Sequence, residues 1–450
     1  MKANPLDDAF YFLQPAVDEA NLSHLSPSQL DTLFDMVRSY VAHKALADEA
    51  EVRQDAPPQT NKRCRSDPIE GSNNDEHIQE GKRERLIQEK KLLQFATSLN
   101  RVRSSLRQLV PPQYIHSEKI IRPSNSLTFT TSTASSPPCF DVDAFLYGED
   151  DIDELCHQGI LSRYYCTSCS NWKSIGLSEF ISHSFSRDQL IFVFLYVLPF
   201  LVDRCNTAGQ FDAAEILEHN GSLVDVGSRL GIVLFSALFS TSLRNIIGLE
   251  SNEWFVSISK KIHTQIVSHS SSRVVGNRSR AGKQKHLEGK SERVVILHED
   301  ALSPSGLEHI ASANLLVMHN VFEWFSKEEE QVGMWTKIKE ATMRRLEGVH
   351  PMYIISSPSL ETSLAGVFLV GQPEESRTRA ATAFLSDWVV KVEVGAALNR
   401  YSQERVYLSC NEVHKGGETC SGSDDSDDKD ETLQLCSVIH VYEVIREGKK

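Results

Sequence analysis

The chain has 450 residues, enough for two ordinary domains or one large domain with a long extension, and its 40% hydrophobic content supplies an ample core. A formal net charge of -14 argues against a protein that coats nucleic acid through bulk charge, while leaving local basic patches open. Nine cysteines, an odd number, and a start without a charged-then-apolar leader point to a reduced intracellular protein, cytoplasmic or nuclear, over a disulfide-stapled secreted one.

In chain order, Ser26-Pro27-Ser28-Gln29 has the layout of a capping box with proline in the first helical turn. Leu30, Leu33, Phe34, Val37, Tyr40 and Val41 then recur at helical spacing, so a helical segment is expected within residues 1–50. Residues 51–81 are polar, include Pro57-Pro58, and have too little apolar surface to order; they read as a disordered linker. A second amphipathic helix is predicted from Lys82 to Leu109, through Leu86, Leu93, Ala96, Leu99, Val102 and Leu106, and is stopped by Pro111-Pro112. It needs a partner, and docking on its own chain is the commoner outcome for such an extension. A Ser/Thr/Pro-rich loop, Ser124 to Pro138, completes the segment 82–138.

Residues 139–186 form a Cys/His-containing stretch ahead of the main domain. Cys166 and Cys169 have the two-residue spacing that lets a tight turn present two thiolates to one tetrahedral zinc, with Cys156, His157 and His183 nearby in sequence. A free thiol pair is the equal alternative. His183 reads three ways, as a pocket residue, a ligand or a structural histidine. The most apolar run, Leu190 to Val202, is interrupted by Pro199 and falls short of the ~18–20 residues of a bilayer span; it reads as a buried helix, and no membrane association is expected.

Within residues 187–450, short aliphatic and β-branched runs alternate with helical patterns, the mark of a parallel sheet with crossover helices. Seven strands are predicted: Leu223 to Val226, Asn245 to Leu249, Arg293 to His298, Asn314 to Met318, Met352 to Ser356, a sixth at Trp388 to Val394 or Arg405 to Ser409, and Ser437 to Val444. Residues 270–292, basic and Ser/Gly-rich, and residues 411–433, with Ser423-Asp424-Asp425-Ser426-Asp427-Asp428, read as flexible insertions.

The informative residues run from Ser222 to Gly231: an apolar strand, a turn holding Gly227 and Gly231, and an apolar helix from Ile232 to Phe239. A cofactor at the carboxyl edge of a parallel sheet must approach main chain closely, so glycine stands where a Cβ would collide. A dinucleotide fingerprint wants glycine five residues after the first, and position 232 is isoleucine, which disfavours an NAD-dependent oxidoreductase. Glu250 closes the next strand about where a ribose-binding carboxylate lies in such folds, and a carboxylate suits a diol because it accepts from both hydroxyls.

Asp225, Gly227 and Gly231 resemble motif I of the class I, Rossmann-like, seven-strand S-adenosylmethionine-dependent methyltransferases, acidic-x-Gly-x-Gly-x-Gly, with Arg229 in place of the middle glycine. The resemblance implies an α/β Rossmann-like seven-stranded sheet, here behind a mainly helical and partly disordered N-terminal extension. It implies cofactor contacts from Asp225, Gly227, Ser228, Gly231, Glu250, Asp300, Ala301 and Asn320, with Asp300 accepting from the adenine amino group. It places the acceptor side at Asn320 and Glu323, where the fourth strand runs into Val321 to Phe325. Arg229 either reshapes the turn or weakens the grip on the cofactor. Glu323 equally suits a helix cap.

The expected activity is therefore S-adenosylmethionine-dependent methyl transfer, with a catalytically inactive scaffold or regulator of the same fold as the alternative. Such a displacement needs alignment and water exclusion more than a covalent nucleophile, so the lack of a serine or cysteine triad fits it. A protein side chain, lysine or arginine, is the favoured acceptor. A small molecule is the second option, and nucleic acid the third, through the basic loop 273–293 that carries Arg273, Arg278, Arg280, Lys283, Lys285 and Lys290.

Overall fold

Strands that are apolar at nearly every position are stable only when both faces are covered, and the chain builds one sheet of that kind. The structure, a computed structural model, describes residues 73–110, 139–166, 175–272, 292–344, 351–368, 372–404 and 434–445. The chain separates into two units: Met1–Ile78, described only from residue 73, and Gln79–Lys450, which holds the sheet and the helices that cover it. The helix expected within residues 1–50, residues 51–72 of the linker, the Ser/Thr/Pro-rich loop, Cys169, residues 273–291, residues 411–433 and the alternative sixth strand at 405–409 lie outside the described residues.

The first half contains α1 (Asn73–Leu109), β1 (Cys139–Asp141), α2 (Glu149–His157), β2 (Tyr164–Cys166), β3 (Ile175–Leu177), β4 (Glu179–Ile181), α3 (Arg187–Thr207) and α4 (Phe211–Glu215). The second half runs β5 (Ser222–Val226), α5 (Ile232–Ser240), β6 (Asn245–Glu250), α6 (Glu253–Ser272), β7 (Val294–His298), α7 (Pro304–Ala311) and β8 (Leu315–His319). It ends with α8 (Glu328–Met343), β9 (Tyr353–Ser357), α9 (Leu360–Val367), α10 (Glu374–Leu385), β10 (Val389–Val392) and β11 (His440–Val444).

All seven expected strands form, and the sixth is the one at Val389–Val392. The sheet order is β10-β11-β9-β8-β5-β6-β7. Only β11 runs antiparallel to its neighbours; β5 pairs in parallel with both β6 and β8, Val224 lying opposite Ile247 on one side and Leu316 on the other. Strand order therefore reverses between β5 and β8, and in open α/β sheets the crevice at the carboxyl ends beside that reversal is where ligands bind.

Alternate strand residues serve opposite faces. Leu223, Ile246, Leu315, Val317, Tyr353 and Ile355 join one core with α3, α5 and α6. Val224, Val226, Ile247, Leu249, Leu316, Met318 and Ile354 join the other with α7, α8, α9 and α10. The predicted second helix docks in cis: Phe95, Leu99, Val102 and Leu106 of α1 are buried in the first core, and Arg103 and Arg107 both reach Asp151 and the Leu146 carbonyl.

Two boundaries differ from expectation. α1 begins at Asn73, inside the stretch expected to be linker and ahead of Lys82, in keeping with the high helix propensity of its Glu, Gln, Lys and Arg residues. α6 continues to Ser272, so the basic insertion expected from residue 270 begins after it. The apolar run Leu190 to Val202 lies in α3, which has 21 residues and an 18-residue window of mean hydropathy 1.6, long and apolar enough to cross a membrane by length and composition. Leu190, Phe192, Val197 and Leu201 are nonetheless fully buried in the first core, as expected of a core helix.

Candidate functional site

The turn after β5 is shaped by three left-handed residues, Gly227 (φ 71°), Arg229 (φ 43°) and Gly231 (φ 74°). It keeps left-handed geometry at all three positions of the pattern, and Arg229 bears the strain, which for a non-glycine residue is of order 1–3 kcal/mol. The turn is pinned to β6, since the amides of Gly227 and Ser228 both donate to the Leu249 carbonyl (2.9 and 3.1 Å). A Cβ on Gly227 would meet nothing within 4 Å, so this main chain is bare toward the cleft.

Glu250, at the carboxyl end of β6, is 6% exposed and closes the turn. Its Oε2 accepts from the Arg229 amide (2.8 Å) and its Oε1 from the Asn252 amide (2.7 Å). Asp225, on β5, is 4% exposed. Burial first, and the neighbouring Glu250 second, push its carboxyl well above the usual range. Glu250 is also raised by burial, with the two amides and Arg229 pulling the other way. Two carboxyl groups thus crowd one edge of the reversal point, and Glu250, on which the Ser251 amide also acts, keeps acceptor capacity for a ligand.

Gly248 makes this packing feasible. A Cβ there would lie 2.6 Å from Leu234 Cδ1 and 2.7 Å from Ser228 Oγ. Gly248→Ala is expected to lower stability by about 1–3 kcal/mol through overpacking, read as a fall in the thermal midpoint.

Asp300 lies just beyond β7, exposed, with its Oδ1 accepting from the Leu302 amide (2.9 Å); Ala301 beside it is half-buried. Beyond β8, Asn320 adopts φ 48° and its Nδ2 donates to the Ser182 carbonyl (2.8 Å). Glu323 is engaged locally, accepting from the Phe322 amide (3.0 Å) and from the Ser363 hydroxyl of α9. The N-cap of α8 is Lys327, so Glu323 does not cap that helix. Asp225, the glycine turn and Glu250 are in direct contact or coupled; Asp300 and Asn320 stand at the neighbouring strand ends, on either side.

No family model and no curated protein sequence matches the chain. Among solved structures it is similar to an S-adenosylmethionine-dependent methyltransferase from Geobacter sulfurreducens in complex with S-adenosyl-L-homocysteine, at 13% identity and a TM-score of 0.24, over 58% of this chain and 92% of that one. It is similar to the plantazolicin methyltransferase BpumL at 11% identity and 0.27, over 58% and 86%. It is also similar to precorrin-6y C5,15-methyltransferase from Geobacter metallireducens GS-15 at 14% and 0.23, over 44% and 73%. The strand order, the antiparallel β11 and the left-handed turn at the reversal point carry the assignment, not these scores. The chain has the class I methyltransferase fold.

Residues 139–166 and 175–186 reach the carboxyl edge of this sheet at Asp141 and Ser182. Asp141 of β1, 4% exposed, pairs with the Arg229 guanidinium (3.1 Å), whose side chain is 11% exposed and rests over the Phe255 ring with Cζ 5.0 Å from its centroid. Asn320 holds the Ser182 carbonyl from the other side. The same segment places His183, 4% exposed, beside Trp324 and Phe325, and Phe185 against His319 with ring centroids 4.4 Å apart. Burial, then Arg229 and His319, lower His183 to about 3; burial, against a hydrogen bond with the His183 main chain, lowers His319 to about 4. Both imidazoles are neutral at neutral pH.

Asp141, Phe255 and His319 had no signal in the sequence, because Arg229 and Asp141 stand 88 residues apart and only the fold joins them. Of the expected thiol pair, Cys166 ends β2 and Cys169 lies outside the described residues; among the described residues no group of three or more His, Cys, Asp or Glu side chains is placed to hold a metal ion.

Proposed function

We propose that the chain binds S-adenosylmethionine at the turn Gly227–Gly231 and transfers its methyl group to an acceptor presented beside Asn320. The observation that carries this reading is the bare, left-handed turn closed by the buried Glu250 carboxylate at the point of strand reversal. S-adenosylmethionine would supply an electrophilic methyl group on a sulfonium. Gly227 leaves main chain open to it, Gly231 lets the turn pass close over Phe235 and Ser259, Glu250 accepts from the ribose diol, and Asp300 accepts from the adenine amino group. Burying the reacting atoms under the stretches that carry Asp141 and Ser182 to Phe185 excludes water. A protein side chain is the acceptor class this reading favours.

A second reading, a regulator that keeps the fold without the chemistry, draws on the Arg229–Asp141 pair, which places a guanidinium above the turn. Ultraviolet crosslinking of the full-length chain with tritiated S-adenosylmethionine tests binding. Label on the protein, displaced by S-adenosylhomocysteine, is the expected result. Absence of label with folded protein removes the cofactor from the account, and label without transfer to any acceptor favours the regulator.

A further inference from the structure

His183 is the buried polar group that methyl-group alignment at the glycine turn leaves unused. It is 4% exposed, and neither ring nitrogen, Nδ1 or Nε2, has a hydrogen-bond partner. A buried donor and acceptor left unmet are costly, so such a ring is either a defect or one half of a site. Its position is fixed from both sides. Ser182 takes the Asn320 amide on its carbonyl (2.8 Å) and the Ala144 amide on its hydroxyl (2.9 Å), and the Ser184 hydroxyl donates to Asp143 Oδ2 (2.6 Å). The imidazole is therefore held, with Arg229 of the glycine turn and His319 of β8 as its charged or titratable neighbours.

Two further observations set the chemistry of what it meets. The ring lies against Phe325 (4.6 Å between centroids) and edge-on to Trp324 (6.1 Å), so the wall beside it is aromatic. Among the described residues the nearby carboxylates are engaged: Asp141 is paired with Arg229, and Glu323 is held by Ser363 and the Phe322 amide. With both of those carboxylates engaged, a lysine ammonium or an arginine guanidinium would meet no open partner beside His183. An uncharged flat ring suits the wall and the field, and the net charge of -14 favours a protein ring over a nucleobase carried on polyphosphate.

We propose that His183 is the acceptor-side catalytic residue and that the acceptor is an uncharged aromatic side chain bearing an N–H or O–H, a histidine or tyrosine ring of a protein, set against Phe325 and Trp324. The ring's lone pair forms the new bond to the methyl carbon as the carbon–sulfur bond breaks and leaves its electron pair on sulfur. As positive charge develops on the acceptor its N–H or O–H proton becomes acidic; one nitrogen of His183 accepts a hydrogen bond from that N–H or O–H, which holds the lone pair in line, and the proton is given up to water. A weakly basic imidazole suffices for that hydrogen bond, because it does not have to keep the proton.

This inference rests on the methyl-transfer reading, and its test separates the two. Full-length protein is first titrated calorimetrically with S-adenosylhomocysteine; failure to bind ends the parent reading. The loaded protein is then titrated with degenerate peptides centred on histidine, tyrosine, lysine or arginine while tryptophan emission is followed. The same peptides and bulk transfer RNA are offered with tritiated S-adenosylmethionine. The expected result is saturable emission change and label in the histidine or tyrosine pool alone. His183→Ala, and His183→Asn in case the alanine variant folds poorly, should keep S-adenosylhomocysteine affinity and lose about 100-fold in transfer, partly restored by added imidazole. Label in the lysine, arginine or RNA samples, no label in any sample despite cofactor binding, or full transfer by both variants overturns the proposal.

Discussion

Arg229→Gly is expected to tighten S-adenosylhomocysteine binding and, at the same time, to lower the stability of the unliganded protein. The substitution removes a side chain that is 11% exposed above the turn and restores a residue for which φ 43° carries no strain. Relief of that strain contributes about 1–3 kcal/mol. Against it stands Asp141, 4% exposed, which would lose the guanidinium it pairs with; stranding a buried charge costs about 3–5 kcal/mol. The loss dominates, and the thermal midpoint should fall by several degrees at roughly 2–4 °C per kcal/mol for a domain of this size. The double variant Arg229→Gly with Asp141→Asn should recover most of the midpoint while keeping the higher affinity, because the neutral amide no longer needs the cation. Calorimetric titration and melting of the three proteins decide it. If affinity drops in the single variant instead, the guanidinium belongs to the grip on the cofactor and not to a latch between the turn and residues 139–186.

That latch also shows where sequence reading reaches and where it stops. The core strands were legible because a parallel sheet covered on both faces writes itself as unbroken aliphatic runs, such as Leu315-Leu316-Val317-Met318. The turn was legible because Gly227 and Gly231 stand where the chain must go left-handed, and Glu250 because it closes a strand. Three-residue strands such as β1 and β4 carry too few positions for any period to show, so the segment that brings Asp141 and His183 over the sheet could be located but not folded. The placement of Asn320 on the Ser182 carbonyl and of Glu323 on Ser363 depends on partners 138 and 40 residues away. Chemistry near the cofactor edge follows from local pattern; chemistry on the acceptor side is written in contacts that only the tertiary fold makes.

Glu250→Ala should abolish measurable S-adenosylhomocysteine binding, the larger of the two binding effects. The carboxylate does two jobs: it accepts the amides of Arg229 and Asn252 that set the turn, and its remaining lone pairs are the ones a ribose diol would use. Hydrogen bonds to a charged group contribute about 1.5–3 kcal/mol each, so losing the diol contacts alone weakens binding by roughly two orders of magnitude or more. Stability responds differently. Burial raises the folded-state value of Glu250, as it does that of Asp225, so their ionised forms destabilise the fold: the advantage of the protonated form is present in acid and is lost as pH rises past the ordinary carboxylate range. His183 and His319 act in the opposite sense. Their folded values of about 3 and about 4 lie below 6.5, so the stability that depends on their being neutral is complete above pH 6.5 and drains away as pH falls. The two trends partly cancel on the acid side of neutrality. Removing Glu250 takes away one term that favours the fold in acid, and the plot of thermal midpoint against pH should climb more steeply from acid to neutral in Glu250→Ala than in the parent. A slope unchanged by the substitution would mean that Glu250 titrates in the folded protein as it does in the unfolded chain.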